Sequence, residues 1–144
     1  MGYSLPASMG AKVACPEKDV WCVVGDGSFQ MNLQELVTLA QDKIGVKVAI
    51  LNNSYLGMVR QWQQLFFENN YSHVKLKNPD FVKLAEACGI PGLRAKNTRE
   101  MKEAIKTMRV SKGPIVCDFV VDMEENVYPM VPAGKSLSDT ITGL

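Results

Sequence analysis

Three short, nearly unbroken apolar runs limit what this chain can fold into. They are Val20-Trp21-Cys22-Val23-Val24, Val46 to Leu51 and Ile115 to Val121, and none holds more than one charged residue. A strand with one wet face alternates apolar and polar side chains, whereas a strand covered on both faces is apolar throughout. The runs therefore read as strands of a parallel sheet, buried between layers of helix. All are far shorter than the ~20 apolar residues that a membrane-spanning helix requires.

Helical patterns fill the intervals. Leu5 to Ala14 reads as a helix with Pro6 in its first turn. Asn32 suits a helix cap, with Glu35 three residues on to answer it as in a capping box. Leu33, Leu36, Val37 and Ala40 would form that helix's buried face, with Gly45 closing it. Leu56 to Phe67 carries Met58, Val59, Trp62 and Leu65 at core-like spacing. Glu68 to Lys77 loses periodicity and reads as a loop; Asn78-Pro79 then starts a helix to about Cys88, with Phe81, Leu84 and Ala85 facing inward. A short strand at Gly92–Ala95 precedes a helix capped by Thr98 and running to about Val110. The tail beyond Asp122 shows no period. The order predicts one α/β domain over residues 1–144: a doubly wound, mainly parallel sheet with helices on both faces.

Composition narrows the function classes. Sixteen basic residues against fifteen acidic ones give a net charge of +1, with no long basic run. That balance supplies neither a nucleic-acid footprint nor a polybasic membrane surface. The first residues lack the charged and apolar regions of a signal peptide. Cys15, Cys22, Cys88 and Cys117 form no C-x-x-C pair, and two lie within the apolar runs. They read as core thiols rather than disulfides or metal ligands, which suits a reducing, cytoplasmic compartment.

In open α/β sheets, ligands bind beyond the carboxyl ends of the strands. Polar residues interrupt the chain at two such ends, Gly25-Asp26-Gly27-Ser28 and Asn52-Asn53-Ser54-Tyr55. Asp26 offers a carboxylate between glycines that permit close backbone approach. Asn53 offers an amide oxygen 27 residues later. If the two strands are neighbours, both oxygens meet in one crevice. One carboxylate with neutral oxygens suits magnesium, which shares its octahedral sphere with water and phosphate. Backbone N–H groups around Gly27-Ser28 and Leu56-Gly57 could cradle the phosphates.

Gly25-Asp26-Gly27 followed at this spacing by Asn52-Asn53 resembles the motif shared by thiamin-diphosphate-dependent enzymes. The resemblance implies that Asp26, Asn53 and the Tyr55 carbonyl hold magnesium, which holds the cofactor diphosphate. Met1-Gly2-Tyr3-Ser4-Leu5-Pro6-Ala7 is similar to a family segment in which Gly is commoner at the fourth place. Gly57-Met58-Val59-Arg60-Gln61-Trp62 and Tyr128-Pro129-Met130-Val131-Pro132-Ala133-Gly134 resemble stretches of the biosynthetic acetolactate synthases. By that resemblance Met1, Gly25, Gly27, Ser28, Leu56, Gly57 and Met58 line the cofactor, while Val59 and Trp62 line a substrate channel. His73, the sole histidine, receives no role.

Acetolactate synthases decarboxylate pyruvate and condense the two-carbon product with a second 2-oxo acid, pyruvate or 2-oxobutyrate, toward branched-chain amino acids. The resemblance further implies a homo-oligomer, dimer or tetramer, with a regulatory subunit. It places an activating glutamate on a pyrimidine-binding domain and FAD on a middle domain, neither of which these residues match. The expectation is a C-terminal cofactor domain, inactive when alone. Two alternatives remain open: the same domain of another carboligase or decarboxylase, such as glyoxylate carboligase or pyruvate oxidase, or a non-catalytic binding fragment.

Overall fold

Each apolar run becomes a strand of one parallel sheet in the computed structural model, which describes residues 1–143. Strand β1 spans Val20–Gly25, β2 Val46–Asn52, β3 Gly92–Ala95 and β4 Ile115–Val120. Their order across the sheet is β1-β2-β4-β3, with every pair parallel. The register sets Val20 beside Val46 and Gly25 beside Leu51, so β1 and β2 are direct neighbours that end together.

Helices α1 (Ser4–Ala14), α3 (Glu35–Gln41) and α5 (Phe81–Ala87) supply one face of the core. Leu5, Met9, Leu36, Leu39, Phe81 and Ala85 pack there against Cys22, Val24, Val48, Ile50 and Val116. The chain steps from β2 to β3 at the far edge, then reverses to β4. A right-handed crossover that reverses direction must change face. Accordingly α6 (Thr98–Val110) covers the opposite side, placing Ala104 and Met108 on Ala49, Ile115, Cys117 and Phe119. That side is covered only in part: Val23 and Leu51, on β1 and β2, remain exposed.

Several local expectations need correction. Asn32 caps nothing. The chain turns helical immediately after β1, through α2 (Asp26–Phe29) and a 3-10 turn at Gln30–Asn32. Asn32 is therefore already inside helical backbone, whereas a cap residue is extended. Its amide instead donates to the Gly2 carbonyl, and α3 begins at Glu35 without a side-chain cap. The buried face of α3 uses Leu39, while Val37 points outward. Gly45 does not close α3 either; Lys43 takes the left-handed turn at φ 52°. Gly45 is small because a Cβ there would stand 2.9 Å from the Lys112 carbonyl oxygen.

Two helix starts also move. Asp80, not Asn78-Pro79, caps α5, its Oδ1 accepting from the Val82 and Lys83 N–H groups. Asn97, not Thr98, caps α6, accepting from the Glu100 N–H at 3.0 Å. Glu100 reaches back to the Lys96 N–H at 2.8 Å, one residue ahead of the cap.

Candidate functional site

Because β1 and β2 end side by side, Asp26 and Asn53 emerge at the same sheet edge. They line one cleft of about 530 Å³. Met1, Gly25, Gly27, Ser28, Tyr55, Leu56, Gly57, Met58 and Val59 line it too. Of the residues singled out in the sequence, only Trp62 stands apart. It lies further along α4 (Gly57–Phe66), beside Phe66 at a ring-centroid distance of 4.9 Å.

Asp26 is buried, at 2% exposure, yet its carboxylate is fully engaged on one oxygen only. Oδ2 accepts from the Ser54 N–H at 2.8 Å and from the Asn78 amide at 2.6 Å. Oδ1 accepts a single bond, from the Gly27 N–H at 2.9 Å. A carboxylate has about four acceptor positions, so Oδ1 keeps spare capacity at the cleft. Asn53 is braced by its own turn: its Oδ1 accepts from the Tyr55 N–H at 3.0 Å. Ser54 takes a left-handed φ of 58°, turning the chain beneath Asp26.

Glycines keep the floor open. A Cβ on Gly27 would come within 2.8 Å of Leu56 and 3.0 Å of Leu76. One on Gly57 would stand 3.0 Å from the Asn53 amide nitrogen. Ser28 Oγ accepts from the Gly2 N–H at 2.9 Å, which ties down the residue next to Met1.

The phosphate-cradle expectation needs one correction. The Leu56 N–H is spent on the Val74 carbonyl, and the Gly27 N–H on Asp26 itself. The first turn of α4 has no side-chain cap. The N–H groups of Gly57 and Met58, at the positive end of the helix dipole, and that of Ser28 are spent on no such partner and stay available to an anion.

Two sets of residues were not singled out in the sequence. Val121, Asp122 and Glu125 close the cleft from beyond β4; Val121 reads in the sequence as the end of a buried strand, and Asp122 and Glu125 lie where the aperiodic tail starts, which gave no signal. The second set is a polar chain behind Asp26. Asn78 donates to Asp26 and to Asn52 Oδ1, Asn52 donates to Asp118 Oδ1, and Arg94 donates to Asp118 Oδ2. Arg94 also pairs with Asp80 at 2.6 Å, and this bond holds the Asp80 carboxyl below its ordinary range. A buried Asp118 within a strand was a legible hint, since a buried carboxylate needs partners.

Among the described residues no three His, Cys, Asp or Glu side chains gather to bind a metal. Asp26, Asn53 and Tyr55 bring one carboxylate and neutral oxygens to the cleft, which Asp122 and Glu125 also line.

Residues 1–119 match the family described as "Thiamine pyrophosphate enzyme, C-terminal TPP binding domain". The chain belongs to this family. As a thiamine-pyrophosphate-binding domain it is 49% identical to the acetolactate synthase large subunit of Porphyra purpurea over 98% of its length. The corresponding protein of Corynebacterium glutamicum is 48% identical over 96% of the chain. These matches cover 24% and 23% of the two relatives, so the chain spans about a quarter of their length. Among solved structures, the thiamine diphosphate-dependent 4-hydroxybenzoylformate decarboxylase of Rhodococcus jostii RHA1 superposes with a TM-score of 0.81 at 29% identity. That overlap covers 87% of this domain and 24% of the decarboxylase chain.

Proposed function

We propose that this domain holds the diphosphate end of thiamin diphosphate through a magnesium ion, as part of an acetolactate synthase catalytic subunit. The observation that carries the reading is the buried Asp26 carboxylate, anchored by three N–H donors yet left with acceptor capacity at a glycine-floored cleft. A hard, oxygen-seeking cation fits that donor set. Asp26, Asn53 and the Tyr55 carbonyl are its proposed protein ligands. The Gly57, Met58 and Ser28 N–H groups would bind phosphate oxygens, while Leu56 and Met1 line the cavity next to Gly27. Met58 and Val59 present apolar surface to the cofactor rings and to the substrate.

When bound, thiamin diphosphate supplies an electron sink for cleavage next to a carbonyl. The chain's own residues bind and orient the cofactor there. The 46–49% identity to acetolactate synthase large subunits supports pyruvate as donor, with pyruvate or 2-oxobutyrate as acceptor, in branched-chain amino-acid synthesis. The activating glutamate and FAD are assigned to other parts of a longer subunit. Exposed Met58, Val59, Phe66 and Phe67 on or next to α4 are consistent with contacts to further domains, a second catalytic subunit and a regulatory subunit. Four free cysteines are consistent with a cytoplasmic location.

Calorimetric titration of the chain with thiamin diphosphate, with and without magnesium, tests the binding. Metal-dependent binding that disappears in Asp26→Ala is expected, together with no acetolactate formed from pyruvate by these 144 residues alone. Equal binding by Asp26→Ala would remove the cation reading, and sustained turnover would remove the assignment of the activating group to another domain.

A further inference from the structure

Asp118 sits in mid-strand on β4, at 2% exposure, where a charge is costly to hold. It does not line the cleft, yet its partners lead there. Oδ2 accepts from Arg94 Nε at 2.9 Å, between two residues that are register partners on β3 and β4. Oδ1 accepts from Asn52 Nδ2 at 2.9 Å. Asn52 Oδ1 in turn accepts from Asn78 Nδ2 at 2.8 Å, and the same nitrogen donates to Asp26 Oδ2 at 2.6 Å. The Asn78 carbonyl is occupied by Gln30 Nε2 at 2.7 Å.

An ionised carboxylate only accepts, whereas an asparagine amide accepts at one end and donates at the other. Asp118 therefore turns the Asn52 NH2 group toward itself and the Asn52 carbonyl toward Asn78. That carbonyl turns the Asn78 NH2 group toward Asn52, and with it toward Asp26. Reversing either amide alone would set a carbonyl against the Asp118 or the Asp26 carboxylate, two acceptors with no proton between them.

We propose that Asp118 is a positioning residue for the cofactor site: through Asn52 and Asn78 it fixes the donor that holds Asp26 Oδ2. This role rests on the reading that Asp26 serves the cofactor's cation, but the hydrogen-bond direction is open to measurement without any ligand. Asp118→Asn keeps the shape and removes the charge. Arg94 can only donate, so the new amide gives Arg94 its carbonyl and Asn52 its NH2 group. Asn52 must then reverse, and its NH2 group meets that of Asn78. Either Asn78 reverses as well, setting its carbonyl against Asp26, or the two amides part. Both weaken the bond from Asn78 to Asp26. Exchanging the pair, Asn52→Asp with Asp118→Asn, restores the direction. The carboxylate at position 52 then accepts from both neighbouring amides, while position 118 still offers Arg94 a carbonyl.

The test follows the Asn78 side-chain amide by NMR in the ligand-free chain, its signal being the one missing from Asn78→Ala. In the wild type both amide hydrogens are bonded and should exchange slowly with water. Asp118→Asn is expected to speed that exchange about 10-fold or more, as loss of a bond to a charged group does. It should also weaken magnesium-dependent binding of thiamin diphosphate about 10-fold, as loss of a partner behind a metal ligand typically does. The double variant should return both toward wild-type values. An ion pair that merely ties β4 to β3 would leave Asn78 exchange unchanged in Asp118→Asn, or still fast in the double variant; either result overturns the proposal. If circular dichroism shows Asp118→Asn unfolded, the double variant decides. Folded with slow Asn78 exchange, it supports the proposal; unfolded, or with fast exchange, it overturns it. Asp26→Ala separates the two failures. If magnesium-dependent binding survives it, the cation reading itself falls; if it abolishes binding while Asp118→Asn binds as the wild type does, only the present inference falls.

Discussion

At residue scale, Gly57 shows how a backbone position can serve the site rather than the fold. It opens α4, and a Cβ added there would press on the Asn53 amide at 3.0 Å. Alanine is the better helix former by up to about 1 kcal/mol, less at a helix end. Gly57→Ala should therefore leave the urea midpoint unchanged or slightly raised, yet weaken magnesium-dependent cofactor binding several-fold, because Asn53 must move. Binding that stays at the wild-type level would show that the Asn53 amide is not needed where it stands. Asp26 and Asn53 were legible in the sequence since each directly follows a buried strand, and the two strands prove to be neighbours. Asn78 was not legible. It lies 52 residues from Asp26, and Asn-Pro ahead of an apolar helical pattern reads as ordinary helix-start chemistry. Asn32 misled for a related reason: its residue type suits a cap, but the preceding backbone was already helical.

At the scale of elements, α4 inverts the expected burial. Its spacing gave Met58, Val59 and Trp62 as a core face. The structure buries Arg60 and Gln61 instead, with Gln61 at 1% exposure and Met58 at 50%. Periodicity reports which residues share a face, not which face meets the rest of the chain. The polar face has a partner that no periodicity places, the segment after β4. Arg60 lies over the rings of Tyr55 and Tyr71 and donates to the Glu124 carbonyl and Asn126. Gln61 accepts from the Val127 N–H at 2.8 Å and donates to the Val127 carbonyl at 2.9 Å, as a neighbouring strand would. These bonds secure the segment whose nearer residues, Asp122 and Glu125, line the cleft. Gln61→Met keeps the side chain's shape and removes both bonds. A net loss of about 1 kcal/mol is expected for that segment, read as roughly five- to tenfold faster hydrogen exchange at the Val127 amide, with little change in exchange across β2. Unaltered exchange at Val127 would mean that Gln61 does not hold the segment.

For the whole molecule, the alternation of strand and helix made the sheet and its two layers legible, because burial on both faces forces uniformly apolar strands. The uneven covering was not legible, since it depends on which crossover reverses direction. The two layers leave a thiol on each side of the sheet: Cys22 in the core beneath α1, α3 and α5, and Cys117 beneath α6. Burial raises both thiol pKa values. Cys117 is pushed up to about 12 from an ordinary 9.0, with the Asp118 charge adding to the effect. The sign of the linkage follows. Above pH 9 the unfolded chain releases the Cys117 proton while the folded chain retains it, so the unfolded state binds fewer protons and stability falls as pH rises. The loss begins near the ordinary thiol value and continues to about 12. It reaches a few kcal/mol at most, at about 1.4 kcal/mol for each pH unit between the two values. Urea unfolding at pH 8 and pH 10.5 should therefore show a clear drop in stability for the wild-type domain. Cys117→Ala, though less stable at pH 8 because of the cavity it leaves, should lose distinctly less between the two pH values. If both proteins lose the same amount, the alkaline sensitivity lies elsewhere, and the α6 layer does not keep Cys117 from water as the packing on β4 indicates.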